Sequence, residues 1–350
     1  MTFVRPTFRH PQQPANALGY TRKDYEGLIS TLCAGCGHDS ISSAIIQACF
    51  EIPVEPHKVV KMSGIGCSSK TPAYYLDRSH GFNSVHGRMP SIATGANMAN
   101  RDLIYLGVSG DGDTASIGMG QFIHVLRRDL NLTYVVMNNG CYGLTKGQDS
   151  ATADRGSRSK KGVPNPFESI DLCEMAIQLG AGFVARSFSG DKQQLVPLLK
   201  AALLHQGVAL IDVISPCVTF NNTSGSTKSY QYVRDHIEAT GTFDFIPLRQ
   251  EIVVEYDEGA TQEVTMHDGS VIHLHKSISG VDVTSRRLAL DLLEAERAQG
   301  RLLTGILFLA PDSEDTHSIL KTSLTPLNHL TQDELCPGAA ALDEINQRFR

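Results

Sequence analysis

The sequence lacks the features that mark several protein classes. It has no excess of basic residues, since its net charge is −6, and this argues against a nucleic-acid partner. No apolar run approaches the length of a membrane span, and the first twenty residues lack the apolar core of a signal peptide. Internal repeats and low-complexity tracts are missing as well. We therefore expect a cytoplasmic globular protein that binds neither nucleic acid nor membranes.

From about residue 58 to 215, short apolar runs alternate with amphipathic patterns. Strands are predicted at 58–64, 103–110, 132–139, 182–188 and 207–214. Apolar residues at three- and four-residue spacing predict helices within 115–129, 166–180 and 190–206. This order indicates an α/β fold, a parallel sheet with helices on both faces, which binds ligands at the carboxyl ends of its strands. The polar stretch 150–165 is interpreted as a flexible loop.

The pattern changes after residue 240. Alternating residues on either side of Asp268-Gly269 predict a hairpin, and a helix (285–300), an apolar strand (302–310) and a final helix follow. We divide the chain into three parts. They are an N-terminal extension (1–26), the main α/β domain (27–240) and a C-terminal α+β appendage (241–350).

Asp111 and Asn139 follow two neighbouring predicted strands, within "SGDGD" and "NNGC". Gly110 and Gly112 let the backbone approach a phosphate, and the helix that follows favours negative charge at its start. The Asp111 carboxylate, the Asn139 amide and the backbone carbonyl of Cys141 can each supply one oxygen ligand. Three such oxygens suit an octahedral Mg²⁺ that also binds a diphosphate. Either motif alone is equally well explained as a turn. Together they resemble the thiamine-diphosphate fingerprint, Gly-Asp-Gly followed by Asn-Asn.

The eight cysteines are interpreted as buried thiols, catalytic thiols or metal ligands, because stable disulfides are rare in the cytoplasm. Cys33 and Cys36 form a Cys-x-x-Cys pair, while Cys67 and Cys217 each follow a predicted strand at the ligand-binding edge. Four such cysteines fit Zn²⁺ or a [4Fe–4S] cluster equally well. A thioredoxin-like dithiol is disfavoured because "CAGC" lacks the strand-to-helix setting. Oxidative thiamine chemistry needs an electron acceptor, so the neighbouring motif favours the cluster over zinc.

Several motifs together resemble the β subunit of 2-oxoacid:ferredoxin oxidoreductases, over about residues 27 to 330. They are "CAGCGH", "GIGCSSKTP", "HGRMPSIATGANMAN", "GDGD", "NNGCYGLTKGQ" and "SPCVTFN". The resemblance implies a thiamine-diphosphate-binding fold of the diphosphate type. It implies that Cys33, Cys36, Cys67 and Cys217 hold a [4Fe–4S] cluster. It also implies that Asp111, Asn139 and the Cys141 carbonyl hold Mg²⁺.

The resemblance also implies the residues of the pocket. Cofactor-binding positions are Gly66, Ser68, His86, Gly87, Gly110, Asp111, Gly112, Asp113, Asn139, Cys141, Tyr142, Gly143 and Leu144. Positions matching the catalytic and substrate-facing ones are His86, Arg88, Lys70 and Lys146. Without the resemblance, His86 would be interpreted as a structural residue and the two lysines as solvated surface residues.

The implied activity is the coenzyme A-dependent oxidative decarboxylation of a 2-oxoacid, with electrons passing through the cluster to ferredoxin. A lysine at position 146 suits a carboxylate at the distal end of the oxoacid. We therefore favour 2-oxoglutarate as the substrate over pyruvate and branched oxoacids. Only one α/β unit is evident, and therefore an α subunit is expected to supply the pyrimidine half of the site and much of the oxoacid and coenzyme A binding. Two alternatives remain. One is a non-oxidative thiamine-dependent decarboxylase or synthase subunit, with zinc or no metal at the cysteines. The other is an iron–sulfur electron-transfer protein without thiamine.

Overall fold

The apolar runs in the middle of the chain form the strands of one sheet. The computed structural model describes residues 14–157, 164–220, 227–228, 237–240, 261–265, 271–275, 282–336 and 338–349. Its strands are β1 (Val59–Ser63), β2 (His80–Asn83), β3 (Ile104–Gly110), β4 (Leu132–Asn138), β5 (Cys141–Tyr142), β6 (Gln148–Asp149), β7 (Phe183–Phe188), β8 (Val208–Ile214), β9 (Ile237–Thr240), β10 (Thr261–Thr265), β11 (Val271–His275) and β12 (Leu302–Leu309).

The main sheet has the strand order β2-β1-β3-β4-β8-β7-β12-β9. Its pairings are parallel except where β12 runs antiparallel to β7. Gly110 at the end of β3 is in register with Met137, and Asn138 at the end of β4 is in register with Ile214. The carboxyl ends of these strands therefore lie along one edge. The predicted parallel sheet is confirmed.

Helices cover both faces of this sheet. They are α1 (Gly37–Glu51), α2 (Met89–Ala99), α3 (Met119–Arg127), α4 (Leu172–Leu179), α5 (Lys192–Leu204), α6 (Arg286–Ala298), α7 (Thr316–Leu320), α8 (Gln332–Leu335) and α9 (Ala339–Arg348), and a π-helical turn spans Gly112–Ile117. Helix α4 begins where Asp171 accepts hydrogen bonds from the backbone N–H groups of Cys173 and Glu174, at 2.9 and 3.0 Å. These bonds satisfy donors that the first turn leaves without partners.

The core is divided between the two faces because successive strand residues point in opposite directions. Val59 and Ile211 belong to the cluster that packs under α1 and α5. Their neighbours Val60 and Leu210 belong to the cluster under α2, α3, α4 and α6. All seven residues of β4 and of β8 are buried. The continuous apolar runs in the sequence thus reflect strands covered on both sides.

Strand β12, which we assigned to the C-terminal appendage, lies inside the main sheet. It pairs with β7 on one side and β9 on the other, so the division at residue 240 does not separate two sheets. Strands β10 and β11 pair antiparallel, as the predicted hairpin requires, while its Asp268-Gly269 turn lies outside the described residues. Among the helices that the structure describes, none is both long and apolar enough to cross a bilayer.

Helices α1 and α2 and strand β2 were not predicted. The sequence of α1, "GHDSISSAIIQACFE", begins with glycine and small polar residues, and these weaken the helical pattern. Strand β2 has four residues, all exposed. It therefore shows no alternation of buried and exposed residues.

Candidate cofactor site

Four loops meet along the edge formed by the carboxyl ends of the strands. Cys67 follows β1, Asp111 follows β3, Asn139 follows β4 and Cys217 follows β8. These strands are neighbours in the sheet and run in parallel. The edge therefore brings together both groups of residues that the sequence singles out.

Asp111 is the most enclosed acid of this edge, with 1% of its surface exposed. Its Oδ1 accepts a hydrogen bond from the backbone N–H of Asn139 at 3.2 Å. Its Oδ2 lies 2.8 Å from the hydroxyl of Thr152 and also accepts from the hydroxyl of Ser150. Burial raises the pKa of Asp111, and the largest opposing effects come from hydroxyl and backbone donors rather than from a cation. A buried carboxylate in this setting is suited to a divalent cation.

The three predicted Mg²⁺ ligands lie together. The Asn139 backbone donates to Asp111 Oδ1, and the Cys141 backbone donates to Asn139 Oδ1 at 3.1 Å. A carboxylate, an amide oxygen and a peptide carbonyl are hard oxygen donors, which Mg²⁺ prefers. The donor set therefore fits the cation of a bound diphosphate.

Asp113 connects two of the loops. Its Oδ1 accepts a hydrogen bond from the backbone N–H of Gly87 at 2.8 Å, and its Oδ2 accepts from the hydroxyl of Ser109 at 2.9 Å. Gly87 has φ of +67°, and a Cβ there would lie 2.7 Å from Gly118 Cα. Glycine is needed at position 87 for both reasons. Asp113 thus fixes the loop that carries His86 and Arg88.

The loop after β4 folds back over the start of the π-helical turn. The Tyr142 hydroxyl donates to the carbonyl of Gly112 at 3.0 Å, and a Cβ on Gly112 would lie 2.5 Å from the Tyr142 ring. Ser68 is buried beside Gly110, whose Cβ position is 3.4 Å from Ser68 Oγ. These contacts place the predicted cofactor-binding residues of three loops side by side. Gly66 and Gly143 lie in the same loops, with φ of +143° at Gly66.

The four residues predicted to act on substrate are exposed. All four lie in segments that follow the carboxyl ends of strands: His86, Arg88 and Lys146 in loops, and Lys70 in a short 3-10 helix. Lys146 has φ of +84°, a conformation that non-glycine residues adopt at a cost of about 1 kcal/mol or more. These side chains therefore lie near the edge formed by the carboxyl ends of the strands, and their roles stay predictions.

The four predicted cluster cysteines are also brought to this edge. A Cβ on Gly143 would lie 3.4 Å from Cys67 Sγ and 3.8 Å from Cys217 Sγ. The Cys36 backbone donates to the Cys33 carbonyl at 3.0 Å, and the hydroxyl of Thr219 lies 3.9 Å from Cys33 Sγ. Cys33 is exposed, whereas the other three are partly buried.

His38 ties the Cys36 loop to the Cys217 loop. Its Nδ1 is hydrogen-bonded to the hydroxyl of Ser215, and the Gly37 backbone donates to the Pro216 carbonyl at 3.4 Å. Burial lowers the pKa of His38 to about 4, so the ring is neutral at pH 7. The two cysteine-bearing loops are therefore held by uncharged hydrogen bonds.

Four cysteine thiols are suited to hold either Zn²⁺ or a [4Fe–4S] cluster. In the part of the chain that the structure describes, no three His, Cys, Asp or Glu side chains are arranged to hold a metal ion. Burial, with smaller contributions from the neighbouring thiols, raises the pKa of Cys36 to about 11 and also raises that of Cys67. Metal binding at these thiols must therefore release protons.

Cys141 departs from the sequence interpretation, which gave its thiol no role. The thiol is buried and hydrogen-bonded to Cys217, and this bond is the largest of the effects that raise the Cys141 pKa. Its backbone meanwhile donates to Asn139. Cys141 therefore lies between the diphosphate loop and the cysteines.

Ser150 and Thr152 are contacts of Asp111 that sequence reasoning missed. They lie in the stretch interpreted as a flexible loop, yet they are 6% and 1% exposed. Asn165, at the end of the same stretch, is also buried, and its side chain donates to the Ala153 carbonyl at 3.0 Å. The only available signal was the Ser-x-Thr spacing, which lets both hydroxyls approach one carboxylate.

Residues 64–213 match the family model described as the thiamine pyrophosphate enzyme, C-terminal TPP binding domain. The chain is 42% identical over 200 residues to the 2-oxoacid:ferredoxin oxidoreductase subunit beta of Saccharolobus solfataricus, covering 57% of this chain and 65% of that one. It thus spans just under two thirds of that relative's length. It is 40% identical over 209 residues to the 2-oxoglutarate synthase subunit KorB of Methanocaldococcus jannaschii, covering 58% of this chain and 74% of that one.

A solved structure is similar over most of the chain. It is a 2-oxoglutarate:ferredoxin oxidoreductase from Magnetococcus marinus with 2-oxoglutarate, coenzyme A and succinyl-CoA bound. The TM-score is 0.66 at 29% identity, and the match covers 94% of this chain and 90% of that one.

Gly64 is a sharp test of the packing around Asp113, because a Cβ there would lie 1.7 Å from Asp113 Oδ2. We expect Gly64→Ala to displace this carboxylate and to lower the free energy of unfolding by about 2 kcal/mol or more. Gly95→Ala in α2 is the matched control, since nothing lies within 4 Å of its Cβ position and alanine favours a helix by about 0.5–1 kcal/mol. Urea denaturation compares the two, and equal stability would contradict the close approach.

Proposed function

Since the chain belongs to the beta-subunit family of 2-oxoacid:ferredoxin oxidoreductases, we propose that it carries the diphosphate-binding half of the active site of such an enzyme. The proposed reaction is the coenzyme A-dependent oxidative decarboxylation of a 2-oxoacid, with ferredoxin as the electron acceptor. The observation that carries the proposal is the linked set Asp111, Asn139 and Cys141, which lies beside four cysteines at one edge of the sheet.

Thiamine diphosphate, when bound, supplies the electron sink for the loss of CO₂ from a 2-oxoacid. The chain's own contribution is to bind and orient its diphosphate. Asp111, Asn139 and the Cys141 carbonyl would hold Mg²⁺, while Ser150 and Thr152 keep the Asp111 carboxylate oriented. Glycines at 110 and 112 leave the backbone accessible to phosphate oxygens.

We propose that Cys33, Cys36, Cys67 and Cys217 hold a [4Fe–4S] cluster, which would accept electrons from the thiamine site. Gly143 favours this arrangement, because its lack of a side chain leaves room beside Cys67 and Cys217. Oxidative decarboxylation needs an electron acceptor, which a [4Fe–4S] cluster supplies and redox-inactive zinc does not, and this favours the cluster over the non-oxidative alternative. An electron-transfer protein without thiamine is disfavoured by the Asp111–Asn139 linkage.

A partner subunit would complete the site. The relatives are named as subunits, and three apolar residues in the loops of the site are exposed: Val85 by 69%, Ile117 by 48% and Leu144 by 51%. Covering such residues with another chain is favourable by roughly 25 cal/mol per Å² of apolar surface. We propose that an α subunit lies over them and supplies the pyrimidine half of the pocket.

The proposed substrate is 2-oxoglutarate, with succinyl-CoA and CO₂ as products. Lys146 supports this choice, because an exposed ammonium group at this edge suits the second carboxylate of a dicarboxylic oxoacid. The names of the Methanocaldococcus and Magnetococcus proteins point to the same substrate. Pyruvate is the alternative substrate.

Asp111→Asn tests the diphosphate site. The amide lacks the charge that Mg²⁺ requires, so we expect Mg²⁺-dependent thiamine diphosphate binding to weaken by about a hundredfold or more. Iron content should not change. Asp129→Asn is the control, because Asp129 accepts from the Val208 backbone at the opposite edge of the sheet. Calorimetric titration of the assembled enzyme measures the affinity; if Asp111→Asn retains it, the assignment is wrong.

Elemental analysis of anaerobic protein tests the cysteine site. About four irons and four acid-labile sulfides per chain are expected, with loss of iron in Cys67→Ser. Cys336→Ser is the control, since Cys336 is exposed and near the other end of the chain. One zinc and no sulfide would reject the cluster and favour a non-oxidative thiamine enzyme.

Lys146→Met tests the substrate. In the assembled enzyme, we expect the KM for 2-oxoglutarate to rise about tenfold, because a charged contact contributes roughly 1.5–3 kcal/mol, while the KM for pyruvate stays the same. Lys58→Met is the control, since this exposed lysine precedes β1 at the other edge of the sheet. A clear preference of the unaltered enzyme for pyruvate would overturn 2-oxoglutarate.

A further inference from the structure

A line of buried polar side chains crosses three neighbouring strands and ends at Asp111. Arg186 on β7 and Asp212 on β8 are in register as cross-strand neighbours. Asn138 ends β4, the next strand in the sheet. These three side chains are 6%, 2% and 4% exposed. Charged and amide groups are seldom placed so deep without partners.

Each member of the line contacts the next. Arg186 Nε donates to Asp212 Oδ2 at 3.2 Å, and Asn138 Nδ2 donates to Asp212 Oδ1 at 3.0 Å. The Thr152 hydroxyl lies 2.9 Å from Asn138 Oδ1 and 2.8 Å from Asp111 Oδ2. A continuous chain of contacts therefore runs from the guanidinium to the proposed cation ligand.

The charged residue Asp212 determines which way the Asn138 amide is oriented. Asp212 only accepts when ionised, so the side of Asn138 that faces it must be the NH₂ group. The carbonyl oxygen of Asn138 then faces Thr152. The Thr152 hydroxyl has one proton for two acceptors, and the Ser150 hydroxyl can donate to Asp111 Oδ2 in its place. By orienting Asn138, the charge on Asp212 thus influences which acceptor receives the Thr152 hydroxyl proton, Asn138 Oδ1 or Asp111 Oδ2.

We propose that Asp212 and Arg186 are positioning residues for the cation site. By orienting the Asn138 amide, they fix Thr152 and with it the Asp111 carboxylate in the arrangement that binds Mg²⁺. This inference rests on the proposed function, because it concerns how the proposed Mg²⁺ ligand is held.

Asp212 is the better of the two residues to alter. Arg186 also donates to Asp171 at 2.6 Å, and Asp171 caps the start of α4. A change at Arg186 would therefore disturb a helix as well as the line. Asp212→Asn keeps the volume of the side chain and removes the charge. Its amide no longer determines which way Asn138 faces.

A second buried ion pair provides the matched control. Lys200 on α5 donates to Glu51 on α1 at 2.8 Å, with side chains 8% and 13% exposed. This pair joins two helices that pack on the sheet, and neither residue follows the carboxyl end of a strand. Glu51→Gln therefore removes the charge of a largely enclosed, ion-paired acid remote from Asp111.

The experiment measures thiamine diphosphate bound to the assembled enzyme by equilibrium dialysis, at increasing Mg²⁺ after removal of the metal by chelation. For Asp212→Asn we expect the half-saturating Mg²⁺ concentration to rise about tenfold, the effect of losing roughly one buried hydrogen bond. Binding should be restored at high Mg²⁺. Glu51→Gln should leave the concentration unchanged, although both variants unfold at a lower temperature.

Thr152→Val is the second variant, and it serves if Asp212→Asn does not fold. It removes the hydroxyl between Asn138 and Asp111 and should raise the half-saturating Mg²⁺ concentration similarly. If Asp212→Asn or Thr152→Val matches Glu51→Gln, the positioning role is wrong while the proposed function stands. If the unaltered enzyme shows no Mg²⁺-dependent thiamine diphosphate binding, the proposed function fails and this inference with it.

Discussion

The burial of one carboxylate organises this edge of the sheet. Asp111 can remain charged away from water only if donors surround it, and these donors come from separate loops. Asn139 contributes its backbone from the loop after β4, and Ser150 and Thr152 contribute hydroxyls from farther along the chain. The loops must therefore pack against one another, and the shape of the edge follows from satisfying a single side chain.

The parallel sheet makes such convergence possible. In a parallel sheet each crossover returns the chain to the edge where the previous strand began, so successive strands all end at the opposite edge. Residues far apart in sequence, such as Cys67 and Cys217, become neighbours for this reason. The thiamine motif and the cysteines share one edge because the fold has one ligand-binding edge.

Features that depend on periodicity and strand-end motifs were predictable from the sequence. The strands over 59–63, 104–110, 132–138, 183–188 and 208–214 follow from continuous apolar runs, and Asp111 and Asn139 follow from the motifs after two of them. Contacts that depend on where a loop returns were not. Thr152 approaches Asp111 across 41 positions, and no local pattern encodes that distance. The Cys141 thiol was missed because its backbone alone explained its presence.

The position of β12 also escaped prediction, since a lone apolar strand in sequence does not reveal its pairing partner. Its place between β7 and β9 has a consequence for synthesis of the chain. The edge of β7 that pairs with β12 stays unpaired until more than a hundred further residues have been translated. Open edges of this kind recruit strands from other molecules. The nascent protein is therefore most exposed to association with its own copies just before its main sheet closes.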